Sequence, residues 1–218
     1  MALAAPLQLE DIHHRFGRQR VLTGVDLRVE RGECVVLFGA NGSGKSTLLC
    51  ILATLLKVQQ GAYRLGKLEA PAQGDRIRDS LIFLGHRTHL YGHLTPVENL
   101  RFFADLRGES PTLAQVRAAV EQVGLGRFMD RTTARFSAGM RKRAALARVL
   151  LLKPPLLLLD EPYSALDSDG VNWLNALLSD YLKEGGMVVM ASHEPERVAC
   201  LYHRPMYLHL GHLSGWRP

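Results

Sequence analysis

The chain has 218 residues, 47% hydrophobic and 22% charged, enough to bury a full core in one domain and ordinary for a globular protein. Its formal net charge of +6 suits nucleic acid, an anionic membrane face or simply an arginine-rich surface, and the dispersal of the basic residues along the chain favours the last. Three scattered cysteines, Cys34, Cys50 and Cys200, argue against a disulfide framework and read mostly as reduced core residues.

In chain order, the apolar alternation over 7–29, broken at Phe16-Gly17-Arg18, predicts a hairpin of antiparallel strands. Phe16, an aromatic beside a turn glycine, suits either packing or stacking on a base. No early segment has the layout of a signal peptide. The longest apolar stretch, 149–159, is cut by Lys153-Pro154-Pro155, short of the about 20 residues that cross a bilayer. The chain is therefore expected to be soluble by itself.

The apolar run 34–38 predicts a buried strand. It leads into Gly39-Ala40-Asn41-Gly42-Ser43-Gly44-Lys45-Ser46-Thr47, after which 48–53 continues as a helix. Strand, glycine loop and helix, with the full G-x-x-x-x-G-K-S spacing, describe a phosphate-binding loop. The glycines let backbone N–H groups turn inward on an anion, Lys45 suits the terminal phosphates, and the Ser46 hydroxyl suits Mg²⁺.

Residues 61–66 read as a short strand, and the polar, turn-rich 67–79 as a surface connection. A further strand at 80–84 ends in Gly85-His86-Arg87. Thr95-Pro96-Val97-Glu98 then opens a helix with a capping box and proline in the first helical position. Helical periodicity continues to 152, with breaks near 108–111, 124–126 and 137–139. Uniformly apolar strands at 156–159 and 187–191, with a helix at 171–183 between them, fit a parallel sheet covered on both faces. The expected architecture is one α/β domain: 1–87 and 153–218 form the core, and 88–152 a mainly helical insertion.

Two more segments carry chemistry. The buried strand at 156–159 finishes in Asp160 and Glu161, and desolvating two unpaired carboxylates would cost several kcal/mol. A metal ion and a water would resolve that cost, with Asp160 toward Mg²⁺ and Glu161 toward an attacking water. Farther upstream, Ser137 can cap the helix that follows it, and Gly139 permits close backbone approach. Arg141, Lys142 and Arg143 then meet the positive end of that helix, unfavourable by roughly 0.3–1 kcal/mol per charge. Such a conflict is expected where an anion binds. His86, His89 and His93 have the irregular spacing of solvated loop histidines rather than of metal or haem ligands.

Over nearly its whole length the chain resembles the ATP-binding subunit of an ABC transporter. Residues 39–47 are similar to the family's Walker A loop and 156–161 to its Walker B. Phe136-Ser137-Ala138-Gly139-Met140 resembles the LSGGQ signature, Ser164-Ala165-Leu166-Asp167 the D-loop, and His193 the switch histidine. Phe16 lies where the family places its adenine-stacking aromatic. The resemblance implies a P-loop NTPase fold: a RecA-like, mostly parallel core with an antiparallel β subdomain and a helical subdomain. It also implies ATP and Mg²⁺. The phosphates would lie on Gly39, Asn41, Gly42, Ser43, Gly44, Lys45, Ser46 and Thr47, the metal on Ser46 and Asp160, and the hydrolytic chemistry on Lys45, Glu161 and His193.

Ser137 and Gly139 would come from a second copy of the chain, closing over the γ-phosphate in a sandwich dimer. Integral-membrane permease subunits would be the other partners, at the cytoplasmic face of the membrane, with no direct nucleic acid. Two positions depart from the family pattern. Met140 replaces the signature glutamine, and Gly85-His86-Arg87-Thr88 replaces the Q-loop, where His86 is nearest the glutamine position and Arg87 is the other candidate.

The run from Leu84-Gly85-His86-Arg87 through Leu94-Thr95-Pro96-Val97-Glu98-Asn99-Leu100 is similar to the ATPases of cytochrome c maturation haem exporters. The alternatives are an exporter ATPase for drugs, lipids or polysaccharide, and a soluble ABC protein acting on nucleic acid or ribosomes. That last class usually carries tandem ATPase units or a long coiled coil, whereas this chain has one unit and no sustained heptads.

Overall fold

The computed structural model describes residues 6–198, 200–201 and 204–215. The chain divides into two units, the first formed by Met1–Gly85, Pro155–Ser164 and Val171–Pro218, the second by His86–Pro154 and Ala165–Gly170.

The first unit opens with β1 (Leu7–Phe16), β2 (Gln19–Val29), β3 (Cys34–Phe38), α1 (Lys45–Leu52), β4 (Gln60–Leu65), β5 (Leu68–Ala70), α2 (Gly74–Asp79) and β6 (Leu81–Leu84). The second unit supplies α3 (Pro96–Asp105), α4 (Leu113–Gln122) and α5 (Ala138–Leu152). Then come β7 (Leu156–Asp160), α6 (Ser168–Lys183), β8 (Met187–Ala191), α7 (Pro195–Val198), β9 (Arg204–His209) and β10 (His212–Gly215).

Two sheets organise the first unit. One is four-stranded in the order β2-β1-β4-β5, and the other six-stranded in the order β10-β9-β3-β8-β7-β6. The burial patterns explain the division. Leu7 and Leu9 of β1 are buried while Glu10 is exposed, the alternation of a sheet with one wet face. All residues of β3 and of β8 are buried, as expected for parallel strands covered on both sides. The fully buried Tyr63 of β4 donates its hydroxyl to the Leu52 carbonyl at 2.8 Å, so the antiparallel sheet is tied to the end of α1.

The second unit is helical, and its helices begin where side chains satisfy their first N–H groups. Thr95 and Glu98 make the capping box expected for α3, and Thr112 with Gln115 makes another at α4. Asn99 is fully buried. Its amide nitrogen donates to the carbonyls of Tyr91, Leu94 and Thr95, and its oxygen accepts from the Tyr91 N–H at 2.8 Å. One side chain thereby fixes the whole turn leading into α3. Arg148 of α5 is also buried. Its guanidinium lies 4.2 Å above the Phe103 ring and donates to the Thr88 carbonyl at 3.2 Å. Desolvation pushes this arginine down to about 10.

Four sequence expectations need correction. The stretch 67–79 holds β5 and α2, anchored by Leu68 and the fully buried Ile77; single apolar anchors in short elements leave no readable period. The helix after the second acidic turn starts at Ser168 rather than 171, where Asp167 Oδ1 accepts the Gly170 N–H at 2.8 Å. The segment 204–215, to which the sequence reading assigned no element, forms β9 and β10, and β9 lies parallel to β3. Of the cysteines, Cys34 alone is buried; Cys50 is half-buried and Cys200 is exposed.

Candidate active site

Strand register decides where the chemistry gathers. Leu37 of β3 lies beside Ala191 of β8, and Ala191 beside Asp160 of β7. The three parallel strands therefore end level with one another. The loop 39–44, His193 and Glu161 all emerge on that edge, the carboxyl end at which parallel sheets take ligands.

The phosphate-loop geometry is set by close contacts. A Cβ on Gly39 would lie 2.3 Å from the Leu208 carbonyl oxygen, so only glycine fits there. Gly44 precedes α1 in the left-handed region, with φ +108, and no side chain caps the helix. The first-turn N–H groups of α1 are thus left for an anion. Lys45 is buried and its Nζ donates to the carbonyls of Gly39 at 2.7 Å and Ala40 at 3.1 Å. Ser43 Oγ is buried with no hydrogen-bond partner among the described residues. A buried ammonium, an orphaned hydroxyl and an uncapped helix start fit a polyphosphate.

Asp160 is half-buried at the end of β7, and the Cys50 thiol on α1 is pushed up by its own burial and then by the Asp160 charge. Among the described residues no group of three or more His, Cys, Asp and Glu could hold a metal. One carboxylate and the Ser46 hydroxyl do suit Mg²⁺, which keeps waters and draws its other ligands from phosphate oxygens.

Glu161 has φ +50, a backbone conformation that costs a non-glycine residue about 1–2 kcal/mol. Its own bonds hold it there: its N–H donates to the Ala191 carbonyl at 3.0 Å, and its carbonyl accepts from Ser164 Oγ at 2.9 Å. The carboxylate Oε2 lies 2.8 Å from His193 Nδ1. That hydrogen bond, and then the carboxylate's charge, raise the histidine pKa, while desolvation and the nearby Lys45 charge act the other way. A raised folded value favours imidazolium. The contribution of this pair to stability is therefore complete below the ordinary value of 6.5 and is lost as pH rises through the folded value. We predict that ring-proton NMR of the chain without nucleotide finds His193 titrating above 6.5, and that Glu161→Gln lowers the midpoint. An unchanged midpoint in the variant would disprove the pairing.

Phe16 is 51% exposed, with its ring edge-on to the buried His14 at 4.8 Å between centroids. The hairpin that carries it also touches the loop, since a Cβ on Gly44 would come within 3.1 Å of Leu22 Cδ2. Asn41 and Gly42 are exposed, and Thr47 is half-buried.

Ser137, Gly139 and His86 belong to the second unit. Ser137 Oγ accepts the Met140 N–H at 3.2 Å and caps α5 as its sequence predicts. A Cβ on Gly139 would lie 3.1 Å from the Ala165 carbonyl, so the glycine admits the loop 164–167. At this helix start Arg141 donates to the Phe136 carbonyl, and Arg143 lies 3.6 Å from Asp167. His86 and Arg87 are both exposed.

A family model described as ABC transporter matches residues 22–164. The chain belongs to the ABC transporter family. The cytochrome c biogenesis ATP-binding export protein CcmA of Dechloromonas aromatica (strain RCB) is 39% identical over 86% of this chain and 92% of its own length. The protein of the same name from Cupriavidus necator is 40% identical over 82% of this chain and 78% of its own. Among solved structures, an ATP-binding subunit of an ABC transporter matches with TM-score 0.88 and 27% identity, over 97% of this chain and 90% of that one. A dimeric cassette with ADP and Pi bound matches with TM-score 0.85 and 25% identity, over 97% and 99%. The α/β P-loop fold expected for the ABC family is the one observed, and the chain is a nucleotide-binding ABC ATPase.

Sequence reading passed over Tyr163, Asn175 and Arg197, which meet behind the Glu161–His193 pair. It gave Asn99 and Arg148 no role of their own. For Arg148 a signal existed, because a lone cation inside the apolar run 144–149 has to find partners.

Proposed function

We propose that this chain binds and hydrolyses ATP with Mg²⁺ to drive the export step of cytochrome c biogenesis, with haem as the cargo. It works as a sandwich of two copies on integral-membrane permease subunits at the cytoplasmic face, without direct contact to nucleic acid. The domain assignment follows the family: the nucleotide core at 1–87 and 153–218, and the helical subdomain with the signature at 88–152.

The hydrolytic roles follow from the groups on the carboxyl edge. Gly39, Asn41, Gly42, Ser43, Gly44 and Thr47 offer backbone and hydroxyl donors to the phosphates, and Phe16 a face to the adenine. Lys45 reaches the β- and γ-phosphates. Bound Mg²⁺, held by Ser46 and Asp160, would neutralise charge on those phosphate oxygens. Water attacks the γ-phosphorus while the bond to the bridging oxygen breaks, and its electron pair leaves with ADP. Glu161 takes the water proton, and His193 donates a hydrogen bond to a γ-phosphate oxygen. Ser137 and Gly139 of the other copy close the site. His86 stands nearest the Q-loop position for coupling to the membrane subunits.

The observation that carries the enzymatic part is the 2.8 Å Glu161–His193 bond on the strand edge that also bears Lys45. The cytochrome c part rests on the named relatives, 39% and 40% identical. Capture of the tagged chain from detergent-solubilised membranes tests it. The expected complex contains an integral-membrane protein and shows haem absorbance. Co-purification with ribosomes or nucleic acid instead, or a membrane complex without haem, would refute this reading or its cargo respectively.

A further inference from the structure

Behind the Glu161–His193 pair runs a closed circuit of bonds that proton transfer does not itself require. Tyr163 is 1% exposed, and its hydroxyl donates to Asn175 Oδ1 at 2.6 Å. Asn175, on α6, donates from Nδ2 to the Arg197 carbonyl at 3.1 Å. Arg197, in α7, returns a bond from Nη1 to the Tyr163 carbonyl at 3.3 Å, and its Nε lies 3.3 Å from Glu194 Oε2.

The circuit joins the two turns that carry the chemistry. Tyr163 stands two residues after Glu161, in the turn leaving β7. Glu194 directly follows His193, in the turn leaving β8, where its N–H donates to Ser192 Oγ at 3.2 Å. Packing alone gives no reason for a phenol at 163, because phenylalanine fills nearly the same volume without a hydroxyl to satisfy. A buried hydroxyl with one defined partner gains orientation instead. Orientation is what this place lacks. The His193 side chain is 61% exposed, so few contacts of its own hold it. Glu161 sits in a left-handed conformation that its surroundings must maintain.

We propose that Tyr163 and Arg197 are positioning residues, which act through Asn175 and Glu194 to hold the turns of Glu161 and His193 at bonding distance and so set the hydrolytic rate. The inference rests on the roles assigned above to Glu161 and His193. Neither Tyr163 nor Arg197 is required to touch the nucleotide.

The test is ATP turnover by the full chain, with KM and turnover number measured separately. Tyr163→Phe is expected to lose about tenfold in turnover with KM unchanged, less than the roughly hundredfold that a 1 Å misplacement can cost. Arg197→Ala, at a side chain 39% exposed and so tolerant of truncation, is expected to do the same, and Arg197→Lys to recover part of the loss. In a His193→Ala background Tyr163→Phe should cause a smaller further loss, because the contact that it keeps at bonding distance is already gone. A second readout needs no turnover: without nucleotide, the His193 ring in Tyr163→Phe should titrate closer to its ordinary value. Unchanged turnover and titration in both variants, a rise in KM that accounts for the loss, or the same loss in the His193→Ala background would each overturn the proposal. Wild-type turnover in Glu161→Gln and His193→Ala would instead remove the roles it rests on, and those two variants report this separately.

Discussion

Glu161→Gln is expected to lower ATP turnover by about 10²–10⁴-fold, the usual contribution of a positioned general base, while ATP binding survives. The amide has the same shape and can still accept from His193, so the 2.8 Å contact can persist. What it loses is the ability to take the proton of the attacking water. ATP should then stay trapped between two copies, and size-exclusion chromatography with ATP and Mg²⁺ should show monomer converting to dimer. Moving such an equilibrium from mostly open to mostly closed takes about 5.5 kcal/mol of differential binding, which phosphate contacts at two shared sites can supply. Turnover at the wild-type rate would show that Glu161 is not the base.

The second large effect concerns binding. Lys45→Ala should weaken ATP binding by about ten- to a hundredfold, since one charge-assisted bond is worth about 1.5–3 kcal/mol and each 1.4 kcal/mol is tenfold. Two reasons combine. The ammonium supplies the positive charge nearest the terminal phosphates, and it also ties the carbonyls of Gly39 and Ala40 at 2.7 and 3.1 Å. Without it those oxygens face the incoming anion unpaired. Equilibrium titration with a fluorescent ATP analogue measures the effect, with circular dichroism to confirm that the fold is retained. Wild-type affinity would remove Lys45 from the site.

Both variants fall on residues that the sequence displays openly, and there is a physical reason. A phosphate loop needs glycines at fixed spacing next to a lysine, and a buried strand ending in two acids contradicts its own burial, so local rules are enough to reveal both. The same holds for α3, whose capping box is written within four residues. Parallel pairing is different. Nothing local in 204–215 announces that β9 will lie against β3, because a parallel neighbour is chosen by the sheet and not by a turn. Short elements such as β5 and α2 offered one or two apolar anchors, too few for a period. The circuit of Tyr163, Asn175 and Arg197 escaped for a related reason: hydrogen bonds between distant segments leave no spacing to read.

The contact between Gly39 and the Leu208 carbonyl bears on the order in which the site is made. During synthesis from the N-terminus, β3 and its glycine loop are made well before the strand that flanks β3 on that side and the oxygen packed against Gly39. Closing so long a stretch of chain is slow and entropically costly. The phosphate cradle, for all its local signature, is therefore a product of the finished unit. A nascent chain holds its most legible motif well before it holds a working nucleotide site.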